Sequence, residues 1–211
     1  IEVAGILSEM KKFVLPNDYP DMSSSLMHIY LIEAGPRLLA GMSEESSAHA
    51  EQFLREMGVN ILLNKRVVDY RDHKVVLEDG TEIATRTFIW VSGVTGVTIG
   101  NLDASLIGRG GRIKVDSFNR VEGMNNVFAI GDQCIQLADE NYPNGHPQLA
   151  QVAIQQGELL AKNLIRMEKG QEMKPFHYRN LGSMATVGRN RAVAEFSKVK
   201  MQGWFAWVMW L

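Results

Sequence analysis

The spacing of apolar and polar residues changes along the chain, and each change predicts an element. From Ile1 to about residue 12, small and apolar residues share one side of a helix, with Lys11-Lys12 near its end. Phe13 to Ser25 holds Pro16, Asn17, Asp18, Pro20 and Asp21, a composition that predicts a loop. Met27-His28-Ile29-Tyr30-Leu31-Ile32 predicts a short buried strand that ends at Glu33, where Ala34-Gly35-Pro36 stops it. Ser43 reads as an N-cap with Glu44 and Glu45 in the first turn. Ala50, Phe53, Leu54 and Met57 then fall on one helical face, and Gly58 closes the helix. Val59 to Leu63 is the next strand. Helix, strand, helix, strand is a run of βα units, which predicts a parallel sheet covered by helices.

The texture then changes to short β-rich runs at 66–71, 74–78 and 81–85, with Asp79-Gly80 as a hairpin signal between the last two. This antiparallel meander returns to Thr87-Phe88-Ile89-Trp90-Val91, read as a buried strand ending at Ser92-Gly93-Val94. Glycines crowd residues 95 to 111, which predicts a loop and a domain boundary near 95. Strands are expected at Arg112–Asp116 and at Val127–Ile130, the latter ended by Gly131-Asp132. A Pro- and Asn-rich loop leads to a helix at about 148–167, and a final hairpin is expected around Gly188.

Composition narrows the class. At 211 residues, with 45% hydrophobic and 22% charged residues, the chain has an ordinary globular balance and enough material for a core. A net charge of −2 gives no reason to expect a nucleic-acid partner. The one cysteine, Cys134, excludes a disulfide framework, a CxxC redox pair and a thiolate zinc site within the chain, and it fits a buried thiol better than a nucleophile. The five histidines show no metal-site spacing. No apolar run approaches the ~20 residues that span a bilayer. The chain opens as though inside a helix and stops in a rising apolar run, so we expect a piece of a longer protein.

Four constellations carry candidate chemistry. Glu33 stands at the carboxyl end of a strand, where ligands of doubly wound sheets sit, and its carboxylate suits ribose hydroxyls and repels a 2′-phosphate. Arg37 weakens that preference slightly, and a strand-end Glu can equally be a solvated side chain. Phe128-Ala129-Ile130-Gly131-Asp132 sets a side-chain-free backbone beside a carboxylate, suited to sugar or ribityl hydroxyls, although an ordinary Gly-Asp turn reads the same. Gln151 and Gln155 are helical neighbours, and Gln156 lies on the stripe expected to be buried, where its amide needs a cofactor, a quinone carbonyl or backbone partners. Trp204, Trp207, Val208 and Leu211 share helical spacing after Lys198 and Lys200, as in a helix lying in a membrane interface or packing on another part of the protein.

Together these segments resemble the two-dinucleotide-domain flavoproteins, and among them the type II NADH dehydrogenases, over almost the whole chain. Ile1-Glu2-Val3-Ala4-Gly5 is similar to the segment after the family's NADH-binding Gly-rich turn, and the stretch from Ser8 to Pro20 to an insertion many members carry. Ile32-Glu33 resembles the ribose-binding acid, and Ile89 to Val94 the segment near the nicotinamide. Val127 to Asp132 is similar to the second FAD-binding motif, Ala150 to Gln156 to the quinone-site helix, and Gly182 to Arg189 to the stretch after it.

The resemblance implies an α/β fold: an incomplete Rossmann-like three-layer NAD-binding domain (1–94), the second half of an FAD-binding domain (95–180) and the start of a C-terminal membrane-associating region (181–211). The family's Gly-rich phosphate loops are not in this sequence. The implied cofactors are FAD and NAD(H), and the implied reaction passes hydride from NADH to flavin and electrons on to a quinone. The resemblance puts Glu33 at the adenosine ribose, Glu2 and Gly93 on the nicotinamide side, Gly131, Asp132 and Ala150 at the flavin, and Gln151 and Gln155 at its quinone edge. No side chain here is expected to act as an acid–base catalyst. It further implies a place peripheral on the cytoplasmic face of the inner membrane, attached through the Trp-rich segment, while the missing strand and half-domain would leave apolar faces bare, which favours association or a swapped homodimer. The rival readings are a sulfide:quinone reductase, a ferredoxin- or rubredoxin-type reductase, and a non-catalytic NAD-binding module.

Overall fold

The computed structural model describes residues 1–97, 99–196 and 199–211; Lys198, read above as flanking the Trp-rich tail, lies outside the described residues. The chain divides into two compact units, Ile1–Ile89 with Leu181–Leu211, and Trp90–Asn180.

The first unit opens with α1 (Glu2–Glu9), which runs through a π-helical turn at Met10–Val14 into α2 (Leu15–Asp18). The loop expected from Phe13 therefore begins only after Asp18. Pro16 falls in the first positions of that last turn, where its missing N–H removes no required bond, and the wider turn before it relieves the clash of its ring with preceding carbonyls. β1 (Ile29–Ile32) and β2 (Val59–Leu62) pair in parallel, in register from Ile29↔Val59 to Ile32↔Leu62. β1 is half-buried, not buried as expected, since among the described residues only β2 covers one of its edges.

α3 (Glu44–Glu56) links them as predicted. The Ser43 hydroxyl accepts the Ser46 N–H at 3.4 Å, and Ala50 and Leu54 are fully buried. Burying a leucine contributes roughly 1.5–3 kcal/mol, so this stripe is what fixes the helix to the sheet. The meander forms as expected from β3 (Val67–Arg71), β4 (Lys74–Leu77) and β5 (Glu82–Ala84), all antiparallel. Thr87–Val91 does not form the predicted strand, and Ile89, Trp90 and Val91 are exposed. A strand must pair its N–H and C=O groups with a neighbour, and among the described residues no strand pairs with this one.

After Leu181, β8 (Ser183–Gly188) and β9 (Arg191–Phe196) make the expected hairpin, extended by an unforeseen β10 (Val199–Gln202). Ala185, Val187 and Val193 of this hairpin share one core with Ala4 of α1, Leu54 of α3 and Val59 and Ile61 of β2. α5 (Gly203–Trp210) closes the chain over Ala192 and Ala194.

In the second unit β6 (Ile113–Val115) pairs in parallel with β7 (Cys134–Gln136). The strand expected at Val127–Ile130 is instead extended backbone with one bridge, Arg120↔Phe128. Its backbone groups are taken by the segment just before it: Val127 O accepts from Val121 N–H at 2.9 Å and Ala129 N–H donates to Asn119 O at 3.0 Å. α4 (Ala150–Glu168) follows a long loop, and Asn163 on it binds Lys174 through both backbone groups, at 2.8 and 2.9 Å.

Candidate functional site

The candidate residues fall in both units, and each unit builds its own tip. In the first, Glu33 prolongs the β1–β2 ladder: its N–H donates to Leu62 O at 2.9 Å and its carbonyl accepts Lys65 N–H at 3.1 Å. Its half-buried side chain then turns back, and Oε1 accepts the Gly35 N–H at 2.7 Å. The acid is thus held at the carboxyl end of a parallel strand as an acceptor of hydroxyl protons, the partner that the two hydroxyls of a ribose diol require. Arg37 does not face it as a rival cation. Its guanidinium donates to Met42 O and Ala40 O, both at 2.8 Å. Beyond β2, residues 64–66, 78 and 79 line an open cleft of about 170 Å³ that adjoins Glu33 through Lys65. Lys65 is itself ion-paired to Asp79 and holds that carboxyl well below the usual carboxylate range. Glu2 lies exposed on α1, where it accepts from the Thr186 hydroxyl at 3.2 Å.

In the second unit, Gly131–Gln133 is a single 3₁₀ turn following the extended segment. Gly131 has φ of +65°, and Asp132 is exposed. A carboxylate in water beside a residue without a side chain suits a polyhydroxyl chain laid close to the backbone. Behind the turn, Gln156 is 1% exposed and its Oε1 accepts the Gly131 N–H at 2.7 Å. Of the partners open to that amide, the backbone is therefore the one it finds, and Gln156 braces the turn. Cys134 is also buried beneath it, and burial pushes the thiol pKa up, which suits packing and not nucleophilic attack. Ala150, exposed, is the first residue of α4. Gln155 gives both ends of its amide to Arg179, accepting from its N–H at 3.0 Å and donating to its carbonyl at 2.9 Å. Gln151 is half-buried one turn earlier. Gly93 has φ of +81° and open space where a side chain would stand.

One pair escaped the sequence reading. His146 and Asp139, in the loop between β7 and α4, are 1% and 7% exposed, and His146 Nε2 lies 3.0 Å from Asp139 Oδ2. That hydrogen bond holds the Asp139 carboxyl below its ordinary range. Seven residues apart in a loop, the pair has no periodic signal. Its only trace is a histidine and an acid within a Pro-Asn-Gly stretch. Among the described residues no group of His, Cys, Asp and Glu is arranged to hold a metal ion.

Known proteins resemble this chain in sequence and in fold. The family profile described as pyridine nucleotide-disulphide oxidoreductase matches residues 1–157. The chain is 34% identical over 224 residues to a type II NADH:quinone oxidoreductase of Mycobacterium tuberculosis, covering 100% of this chain and 46% of that protein. It is 31% identical over 228 residues to the mitochondrial internal alternative NAD(P)H-ubiquinone oxidoreductase A1 of Arabidopsis thaliana, covering 100% of this chain and 44% of that one. The chain thus spans less than half the length of these curated relatives. Among solved structures, NDH2 of Plasmodium falciparum in complex with NADH matches with a TM-score of 0.87 at 19% identity, over 100% of this chain and 58% of that one. The sulfide:quinone oxidoreductase of Aquifex aeolicus matches with a TM-score of 0.73 at 16% identity, over 99% and 51% of the two chains. Both are likenesses of fold.

Proposed function

The chain belongs to the pyridine nucleotide-disulphide oxidoreductase family, and from that premise we propose that it forms part of an FAD-dependent NADH:quinone oxidoreductase. The observation that carries the reading is Glu33, fixed by Gly35 at the carboxyl end of β1 with Arg37 turned onto backbone carbonyls. That arrangement suits the unphosphorylated ribose of NADH. We read residues 1–94 as the NADH-binding domain, 95–180 as the second half of the FAD-binding domain and 181–211 as the start of the membrane-associating region.

A bound flavin would supply the hydride acceptor and the electrons for a quinone, and the protein's part is orientation. Glu33 would hold the adenosine ribose, with Glu2 and Gly93 toward the nicotinamide. Asp132 would accept from ribityl hydroxyls while Gly131 lets the chain approach, and Ala150 would sit beside it. Gln151 and Gln155 would line the quinone edge. The identity with type II NADH:quinone oxidoreductases supports this reading. A sulfide:quinone reductase would want catalytic cysteines, and the one cysteine of this chain, Cys134, is buried. We further propose a homodimer, peripheral on the cytoplasmic face of the inner membrane.

The test is the full-length protein. It should purify with a flavin absorption band and reduce a soluble quinone with NADH at least tenfold faster than with NADPH. A colourless protein that binds NADH without oxidising it would make the chain a binding module instead. The 211-residue chain alone is expected to hold no flavin, since the Gly-rich loops whose N–H groups bind pyrophosphate are not in its sequence.

A further inference from the structure

The loop from residue 137 to residue 149 has no regular structure, yet it joins β7 to the helix that carries Gln151 and Gln155. Ordering such a loop costs roughly 1–2 kcal/mol of backbone entropy per residue, so something must hold it. The buried Asp139–His146 pair spans it. Asp139 also accepts the Asn141 N–H at 3.0 Å, and its carbonyl accepts the Tyr142 N–H at 2.9 Å. Tyr142, Phe176 and Tyr178 pack around the imidazole with ring centroids 5.1, 5.2 and 5.9 Å away. From behind, the Arg112 guanidinium donates to His146 O at 3.0 Å and to Cys134 O at 2.6 Å, tying the loop to β7. Gly145 lies so close to β7 that a Cβ there would stand 2.6 Å from Ile135 Cγ1.

The outgoing end of the loop returns to the flavin-side tip. Gln148 Nε2 donates to the carbonyl of Asp132 at 3.1 Å. A buried carboxylate–imidazole pair is a poor way to gain stability compared with apolar packing, but it fixes a single geometry. A carboxylate can only accept, so the proton shared between them belongs on Nε2. Nδ1 has no hydrogen-bond partner, so no second polar contact competes for the orientation of the ring.

We propose that Asp139 and His146 are positioning residues for the flavin site: they lock the 137–149 loop so that Gln148 holds the Asp132 backbone and α4 begins in register beneath it. This rests on the reading of Asp132 as a flavin ligand. The test uses the full-length protein and three variants. His146→Phe keeps the aromatic packing and removes the partner of Asp139. Asp139→Asn leaves one acceptor oxygen for two donors, the Asn141 N–H and Nε2–H, and so weakens the pair without removing it. Gln148→Ala breaks the outgoing contact and leaves the buried pair intact. We expect His146→Phe and Gln148→Ala each to raise the FAD dissociation constant at least fivefold and to alter the visible circular dichroism of the flavin, with the KM for NADH within twofold. Asp139→Asn should fall between wild type and His146→Phe on both readouts, and an Asp139→Asn protein more impaired than His146→Phe would count against the pair as the lock. If Gln148→Ala leaves flavin affinity and dichroism unchanged, the proposal is wrong even where His146→Phe fails to fold. A change in melting temperature alone for His146→Phe would also overturn it. A wild-type protein without flavin would sink the functional reading and this proposal together, whereas a flavin-bearing wild type with silent variants would sink this proposal only.

Discussion

Glu33 shows how little chemistry is needed to choose between two cofactors. Its carboxylate is already turned by one backbone N–H, so it presents acceptors in a fixed direction with little entropy left to lose. A hydrogen bond to a charged group is worth about 1.5–3 kcal/mol, and removing the charge removes the repulsion of a 2′-phosphate as well. Glu33→Gln should therefore weaken NADH binding about tenfold in the full-length protein and narrow the gap between NADH and NADPH, read by fluorescence titration of both. An unchanged NADH affinity would count against Glu33 as the ribose acid. Asp79 offers a check that needs no cofactor. Its carboxyl is depressed first by the hydrogen bond from Lys65 and then by the Thr81 N–H. A depressed carboxyl stabilises the fold above its unfolded value of about 3.9 and loses that contribution as pH falls through the folded value. The Asp79 carboxyl resonance should thus titrate below the ordinary range, and Lys65→Ala should return it most of the way.

At the scale of elements, α1 and β8 leave no room for a side chain at Gly5. A Cβ on Gly5 would lie 1.6 Å from the Val187 carbonyl oxygen, which is backbone and cannot rotate away. Gly5→Ala would have to push the helix off the hairpin, and we expect it to cost more than ~3 kcal/mol, well beyond an ordinary point substitution. A thermal melt within a degree of wild type would contradict that packing.

Elements whose signals are local could be read from sequence. α3 carried its own cap at Ser43 and its own stripe at Ala50 and Leu54, and the meander carried Asp79-Gly80. Elements that depend on a distant partner could not be read. Thr87–Val91 has the composition of a strand but, among the described residues, no strand to pair with, and Val127 and Ala129 give their backbone groups to Val121 and Asn119. The site behaved in the same way. Glu33 was visible as a strand-end acid, and Asp132 as an acid after a glycine, although the strand expected before it is extended backbone with one bridge. The bracing of Gly131 by Gln156, the tie of Gln155 to Arg179 and the Asp139–His146 pair required the folded chain.

Across the whole molecule, large apolar side chains are unevenly exposed, and the C-terminal helix is the extreme case. Trp204, Phe205, Val208, Met209, Trp210 and Leu211 are all exposed, and only Ala206 is buried. The sequence suggested an amphipathic helix with a lysine flank, but α5 is apolar on every side. Lys200 is drawn 3.0 Å from Glu45. Among the described residues no helix is long and apolar enough to cross a membrane, and we propose that α5 lies at a bilayer surface. With no charge on α5 itself, that attachment would be driven by apolar burial and not by attraction to anionic headgroups. Trp emission of the full-length protein should therefore shift to the blue with neutral phosphatidylcholine vesicles as strongly as with anionic ones, and should resist half-molar salt. Deleting residues 203–211 should abolish co-sedimentation with the vesicles. Binding that needs anionic lipid and vanishes in salt would mean that a basic surface elsewhere makes the contact and that α5 packs against protein.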